Sequence, residues 1–356
     1  MPPSAADTNR AVYEKLIDVM NSKSLSLPAV KCEEYFDFVE ELFTPEEAAI
    51  AILMPPGFST IDTIAGKFVD TTITGLAAKL ETMGDRCLVQ IKEAGGEKLY
   101  ELLPFIPGIT ELLFMGGLAD ERSKRVHLLM ERYIAALRKM ADQSKQQTAG
   151  LREPKRKVAV KQDVSFKSTV VPLAEISGFL MRADYIAAGK CICRYQSVLK
   201  NEPCQEPLDN CLIVGESAKF AVQRGLANVI SREEAIRKME EADVAGLIHH
   251  YTNSPDHYAN LLCNCCQCHC SIMRGIKNSP VPGNIVIARY KIEVSEDNCT
   301  GCGSCVERCQ MEALKIAGEK LIYNAVRCLG CGLCTSACPS GSLALKPLES
   351  SKVPLK

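Results

Sequence analysis

The stretch CTGCGSCVERCQMEALKI, Cys299–Ile316, is matched further along by CLGCGLCTSACPSGSLAL, Cys328–Leu345. From position 299 to position 328 the offset is 29 residues, and across it four cysteines, two glycines and one leucine (Leu314 and Leu343) coincide. Both copies space their thiols C-x2-C-x2-C-x3-C. Three thiols at every third position belong to a tight loop wrapped around a compact inorganic core, with the loop amides free to point at sulfur. The glycines between them give the backbone the conformations and the close approach such a loop needs. A zinc site would instead use two CxxC pairs well separated in sequence. One departure stands out: Pro339 follows the fourth thiol of the second copy, whereas Gln310 follows that of the first. Gln310 restores an N–H that proline would lack and removes no ligand.

With that spacing, residues 289–348 resemble a bacterial two-cluster ferredoxin of the [4Fe–4S] type. The resemblance implies that the fourth cysteine of each run ligates the other cluster. One cluster would then take Cys299, Cys302, Cys305 and Cys338, and the second Cys328, Cys331, Cys334 and Cys309.

Working outward, the chain has 356 residues and 19 cysteines, of which only Cys32 and Cys87 precede residue 190. It is 47% hydrophobic and 24% charged, which suits a protein with true cores. No apolar run reaches the roughly 18 residues of a membrane span, and MPPSAADTNR lacks the basic and apolar regions of a secretory signal. These features predict a cytoplasmic chain, where many cysteines argue for metal or redox work over a disulfide scaffold. The net charge of −1 divides into −6 over residues 1–150 and +5 beyond. Excess base belongs near anionic thiolate-bound clusters.

The middle of the chain is predicted to hold a further metal site. Its thiols are Cys191, Cys193, Cys204, Cys211, Cys263, Cys265, Cys266, Cys268 and Cys270, the last five packed into LLCNCCQCHC (Leu261–Cys270) beside His269. No single stretch has the three-thiol loop that wraps a cube, so the two segments must come together across the fold. Nine thiols suffice for one or two further iron–sulfur clusters. A zinc site with Cys and His269, or structural thiols, are the alternatives. The order Asn264-Cys265-Cys266 prevents every thiol from reaching one metal, so some are spectators.

The expected fold class is α+β and multidomain. Residues 1–118 read as a helical, winged-helix-like domain: helices at FTPEEAAIAILMPPG (capped by Thr44), STIDTIAGKF and TTITGLAAKLETMG, then a hairpin turning at Ala94-Gly95-Gly96. Residues 119–161 read as a long helix, with Val126, Leu129, Tyr133, Leu137 and Met140 as its apolar stripe, followed by a basic linker. Residues 162–288 form the cysteine-rich domain, including a helix capped by Ser231, with Glu234 as its capping-box acid and Gly246 as its stop. Residues 289–356 form the dicluster domain and tail. The combination of LYELLPFIPGI, CICR, CNCCxC and the terminal doubled run resembles a family of iron–sulfur proteins from anaerobic prokaryotes. That family often carries a further Cys where this chain has His269.

No GxGxxG after a strand, GxxxxGK[ST] or GxSxG occurs. The expected function is therefore electron transfer to or from a partner oxidoreductase. A reductase with its own middle-domain centre, using a spare thiol such as Cys270, is the alternative; a redox-sensing DNA-binding regulator is the third reading. Nucleic acid is not expected as a partner, because the acidic start offers a single Lys on its third helix. Docking, or homo-oligomerisation through that domain, suits it better. His249, His250 and His257 are weaker ligand candidates, and Cys32 and Cys87 are expected core thiols.

Overall fold

The computed structural model describes residues 5–23, 29–69, 71–117, 120–148, 167–253, 260–279 and 286–348. His257, most of the basic linker and the C-terminal tail lie outside them. The chain divides into two units, one of Met1–Leu113 and Leu118–Ser165, the other of Phe114–Gly117 and Phe166–Lys356.

The first unit begins with α1 (Ala5–Lys23) and α2 (Glu33–Leu42). Then α3 (Pro45–Leu53) starts at a full capping box: Thr44 accepts from the Glu47 amide, and the Glu47 carboxylate accepts from the Thr44 amide at 2.8 Å. That carboxylate also binds Arg86, whose other guanidinium nitrogen donates to the Leu42 carbonyl at 2.6 Å. β1 (Ser59–Thr60), α4 (Ile61–Ala65) and α5 (Ile73–Asp85) follow, then β2 (Val89–Ala94) and β3 (Glu97–Leu102). The hairpin pairs Ala94 with Glu97 across Gly95-Gly96, both at positive φ, and the sheet order is β1-β3-β2. After a π-helical turn at Phe105–Ile109 come α6 (Thr110–Met115) and α7 (Glu121–Thr148). The buried stripe of α7 is Val126, Met130 and Tyr133, whereas Leu129 and Leu137 are half-buried and Met140 is exposed. The i, i+4, i+7 spacing of the true stripe seats Tyr133 against Tyr35, ring centroids 4.7 Å apart. Tyr35 in turn meets Phe105 edge-on at 5.4 Å. Cys87 is buried, at a positive φ, and Cys32 is half-buried at the start of α2.

The second unit is built on a seven-stranded sheet of order β10-β4-β8-β9-β6-β5-β7. Its elements run β4 (Lys167–Val170), α8 (Leu173–Leu180), β5 (Ile186–Gly189), α9 (Ile192–Leu199), β6 (Cys211–Val214), α10 (Glu216–Gln223) and β7 (Asn228–Val229). They continue with α11 (Arg232–Val244), β8 (Ile248–Asn253), β9 (Asn260–Cys265), α12 (Ser271–Lys277) and β10 (Ile287–Ala288). All neighbours pair antiparallel except β10 with β4. Ser231 caps α11 by accepting from the Glu234 amide at 3.1 Å, while the Glu234 carboxylate lies 3.9 Å from Arg237. Gly246 ends the turn at φ +77°.

The terminal doubled run adds β11 (Tyr290–Val294), α13 (Ser304–Arg308), β12 (Leu314–Ala317), β13 (Lys320–Tyr323), α14 (Leu333–Ser336) and β14 (Leu343–Pro347). β11 pairs with β14 and β12 with β13, so each repeat contributes a loop, a short helix and a strand. The sequence places a boundary at 288/289, yet both sides of it belong to one compact unit with a shared core. Buried Met311, Leu329 and Leu333 from the doubled run pack with Cys265, Cys266, Cys270 and Met273 from the middle segment.

Candidate metal centres

Each C-x2-C-x2-C run enters its short helix through a glycine in the left-handed region, Gly303 (φ +82°) before α13 and Gly332 (φ +88°) before α14. Gly330 is the tightest position. Its φ is +66°, and a Cβ there would lie 1.8 Å from the Tyr290 carbonyl oxygen. Only a residue without a side chain lets the second loop lie against β11.

The loops bring the eight thiols into two groups. Burial raises the Cys305 thiol, and Cys338, Cys299 and Cys302 around it add to the rise. Burial likewise pushes Cys331 up to about 12, with Cys309 and Cys328 adding to it. Cys338 is thus a neighbour of the first-loop thiols and Cys309 of the second-loop thiols. Cys309, Cys328, Cys331 and Cys334 line one cavity with Ile248, Leu314 and Leu333. Cys305 and Cys334 share a core with Ile292, Leu314 and Leu343, which keeps the groups adjacent.

Donors surround the sulfurs. The Ala313 amide donates to Cys309 Sγ at 3.2 Å and the Gly330 amide to Cys328 Sγ at 3.4 Å. Ser342 Oγ lies 3.2 Å from Cys338 Sγ, and this hydroxyl, helped by Ser340, brings the Cys338 thiol down to about 7 against the opposing effect of burial. Thiolate-only ligand sets, apolar walls and N–H and O–H donors aimed at sulfur are the chemistry that a [4Fe–4S] core requires. The residues present fit that group.

The middle thiols fall into two further sets. β9 alternates its side chains, so Cys263 and Cys265 share one face while Asn264 points to the other. Asn264 Oδ1 meets His249 Nδ1 at 2.6 Å, and its Nδ2 donates to the Asn210 carbonyl at 2.7 Å. His249 is thus held as a buried structural histidine, its other nitrogen 3.8 Å from Asp243. On the thiol face, hydrogen-bond contacts with Cys211 and Cys265 lower Cys263, while contacts with Cys263 and Cys270 raise Cys265. Cys270 is lowered by its hydrogen-bond contacts with Cys193 and Cys265. Cys191 lies close to Cys263 and Cys270, although burial is what chiefly drives it up to about 12. Cys191 and Cys270 each precede the first residue of a helix, α9 and α12. Six thiols therefore form one nest, with Cys270 among them. His250 lies beside Cys263 and Cys270, and burial lowers its pKa.

The second set is Cys204, Cys266, Cys268 and His269, whose ligand atoms all lie within 4.8 Å of one another. Arg194 stands between the two sets. It is 1% exposed, donates to the Asn264 carbonyl at 2.8 Å and to Asn210, and sets its positive charge near Cys191, Cys266 and Cys265. Sequence reasoning missed Arg194 and Asn264, although both sit inside the cysteine motifs, CICR and CNCC. A charged or amide side chain among thiols was the available signal. It also missed Gln310 as a strut: its Nε2 donates to the Gly246 carbonyl and, at 3.3 Å, to the Cys265 carbonyl. The residue that replaces proline thus joins the Cys309 loop to the middle nest.

An iron–sulfur protein is the class that this thiol arrangement defines. In agreement, residues 298–342 match the family model described as the 4Fe-4S dicluster domain. Among curated proteins and among solved structures, no match was found for the chain. The matched segment supports an electron-transfer role. Among the described residues, no helix is long and apolar enough to cross a membrane.

Proposed function

We propose that this chain passes single electrons between a partner oxidoreductase and its own interior. The clusters proposed for Cys299, Cys302, Cys305, Cys338 and for Cys328, Cys331, Cys334, Cys309 would supply one-electron transfer when bound. The protein's part is to hold those thiolates, exclude water from them and tune them by hydrogen bonds. Cys302 is exposed and Cys338 half-buried, so the first group faces the surface, where a partner can approach. The second group backs onto the middle nest.

The observation that carries this reading is the shared core. Cys309 and Cys331 pack against the same apolar cluster as Cys265, Cys266, Cys270, Cys193 and Cys263. With Gln310 bonded to the Cys265 carbonyl, the six-thiol nest is continuous with the dicluster segment, and we assign it a third redox centre. The acidic N-terminal unit, winged-helix-like in its order of helices and hairpin, serves docking in this reading rather than DNA binding. The one Lys on α5, Lys79, is already paired with Glu46, which leaves no free base there for phosphate.

Anaerobic reductive titration of the full-length protein, counting electrons per chain, tests the proposal. It expects uptake of about two electrons from the dicluster segment plus more from the nest, the latter lost in Cys265→Ser. Uptake of about two electrons in both proteins would confine redox chemistry to the terminal run, and uptake of none would end the proposal.

A further inference from the structure

Four of the middle side chains form a set of their own, their ligand atoms within 4.8 Å of one another, although Cys266 shares an apolar cluster with Cys265 and Cys270 of the nest. Cys204 comes from the loop between α9 and β6, while Cys266, Cys268 and His269 come from the turn between β9 and α12. Cys204 Sγ lies 3.4 Å from Cys268 Sγ and 4.0 Å from Cys266 Sγ. Zinc–sulfur bonds of about 2.3 Å in a tetrahedron put neighbouring sulfurs about 3.8 Å apart, between those two separations. The fourth corner is His269, whose Nδ1 is buried without a hydrogen-bond partner among the described residues. Lys277 Nζ donates to Gln267 Oε1 at 2.9 Å and secures the turn that carries three of the four donors.

From these separations we infer that Cys204, Cys266, Cys268 and His269 form a mononuclear, closed, tetrahedral Cys3His site for zinc, distinct from any iron–sulfur cluster of this chain. Three soft thiolates and an imidazole select zinc among divalent ions, and four protein ligands leave no position open to substrate. Arg194 offsets the negative charge that three thiolates leave on the divalent ion. The site's role is to clamp the Cys204 loop to the turn after β9, which holds Cys265 and Cys270 in register for the nest. The inference is independent of electron transfer: zinc can be present whether or not the chain carries current.

The test is elemental analysis of full-length protein purified without air, together with Cys268→Ser, His269→Ala and His269→Cys. The expectation is one zinc per chain in the parent, at least a tenfold loss of zinc in Cys268→Ser and His269→Ala, and retention in His269→Cys, all with parental iron content. Unchanged iron also reports an intact fold, and His269→Cys remains decisive if a truncating variant misfolds. Cobalt(II) introduced in place of zinc should show tetrahedral thiolate absorption that alters in His269→Cys. Zinc at parental level in both Cys268→Ser and His269→Ala would overturn the site. So would a fall of about four irons in Cys268→Ser, which would make that thiol a corner of a cluster.

Discussion

At Gly330 the backbone leaves room for hydrogen and nothing larger, because the Tyr290 carbonyl occupies the space a Cβ would take. Gly330→Ala should therefore cost about 3 kcal/mol or more and lower iron by about four per chain, as the second loop loses its cube. Gly301→Ala is the matched control: it shares the positive φ of +66°, but its Cβ would lie 3.2 Å from the Glu319 carbonyl rather than 1.8 Å from a carbonyl, so it carries the same backbone strain with a milder clash and iron should fall less. Iron analysis with thermal melting of both variants checks the order. Gln310 gives a second prediction at this scale. Gln310→Leu removes the donor to the Gly246 and Cys265 carbonyls without touching a thiol. Stability should drop by about 1–3 kcal/mol with iron retained, and loss of iron would instead give Gln310 a direct part in cluster binding. The two terminal three-thiol loops were legible in the sequence because each is local and its spacing sets the loop's geometry. The division of the middle thiols was not, because it depends on β9 alternating its faces and on a loop 62 residues away, at Cys204, meeting Cys266.

Helices with local caps were equally legible. Thr44, Ser231 and the Gly95-Gly96 turn act within a few residues, so α3, α11 and the β2–β3 hairpin follow from sequence. The seven-stranded sheet joins strands distant along the chain and includes two-residue strands, so no local pattern announces it. At this scale Glu47 has two duties, capping α3 and binding Arg86. Thr44→Ala should cost about 1 kcal/mol, whereas Glu47→Gln should cost about 2–3 kcal/mol by also leaving Arg86 unpaired in a partly buried site. Denaturant melts of the two variants compare them. Asp243, at the end of α11, meets His249, Ser336 and Arg308, while Arg308 Nη1 donates to the Val244 carbonyl at 2.6 Å. Burial alone would raise the Asp243 carboxyl, but these partners hold it below the ordinary carboxylate range. Its stabilisation is therefore complete above the unfolded-state pKa and drains away as pH falls through the lower folded value. Asp243→Asn should be less stable near neutrality, and the difference from the parent should shrink on acidification. A constant difference down to pH values below the carboxylate range would contradict that assignment.

Across the whole molecule, the second unit in the proposed reading holds three groups of thiols, the terminal eight, the six-thiol nest and the Cys3His set, with Cys309 and Cys331 in the same apolar cluster as Cys265, Cys266 and Cys270. In the proposed route the terminal eight are the entry and the nest lies inward of them, while Gln310 and Arg308 bond the Cys309 segment to the middle segment. The most direct measurement is iron and acid-labile sulfide per chain in full-length protein prepared without air. The account predicts at least about eight of each, rising to about twelve when the nest is filled, and a fall of about four in Cys265→Ser that leaves the terminal eight loaded. Natively folded material holding less than one cube's complement of iron would contradict it.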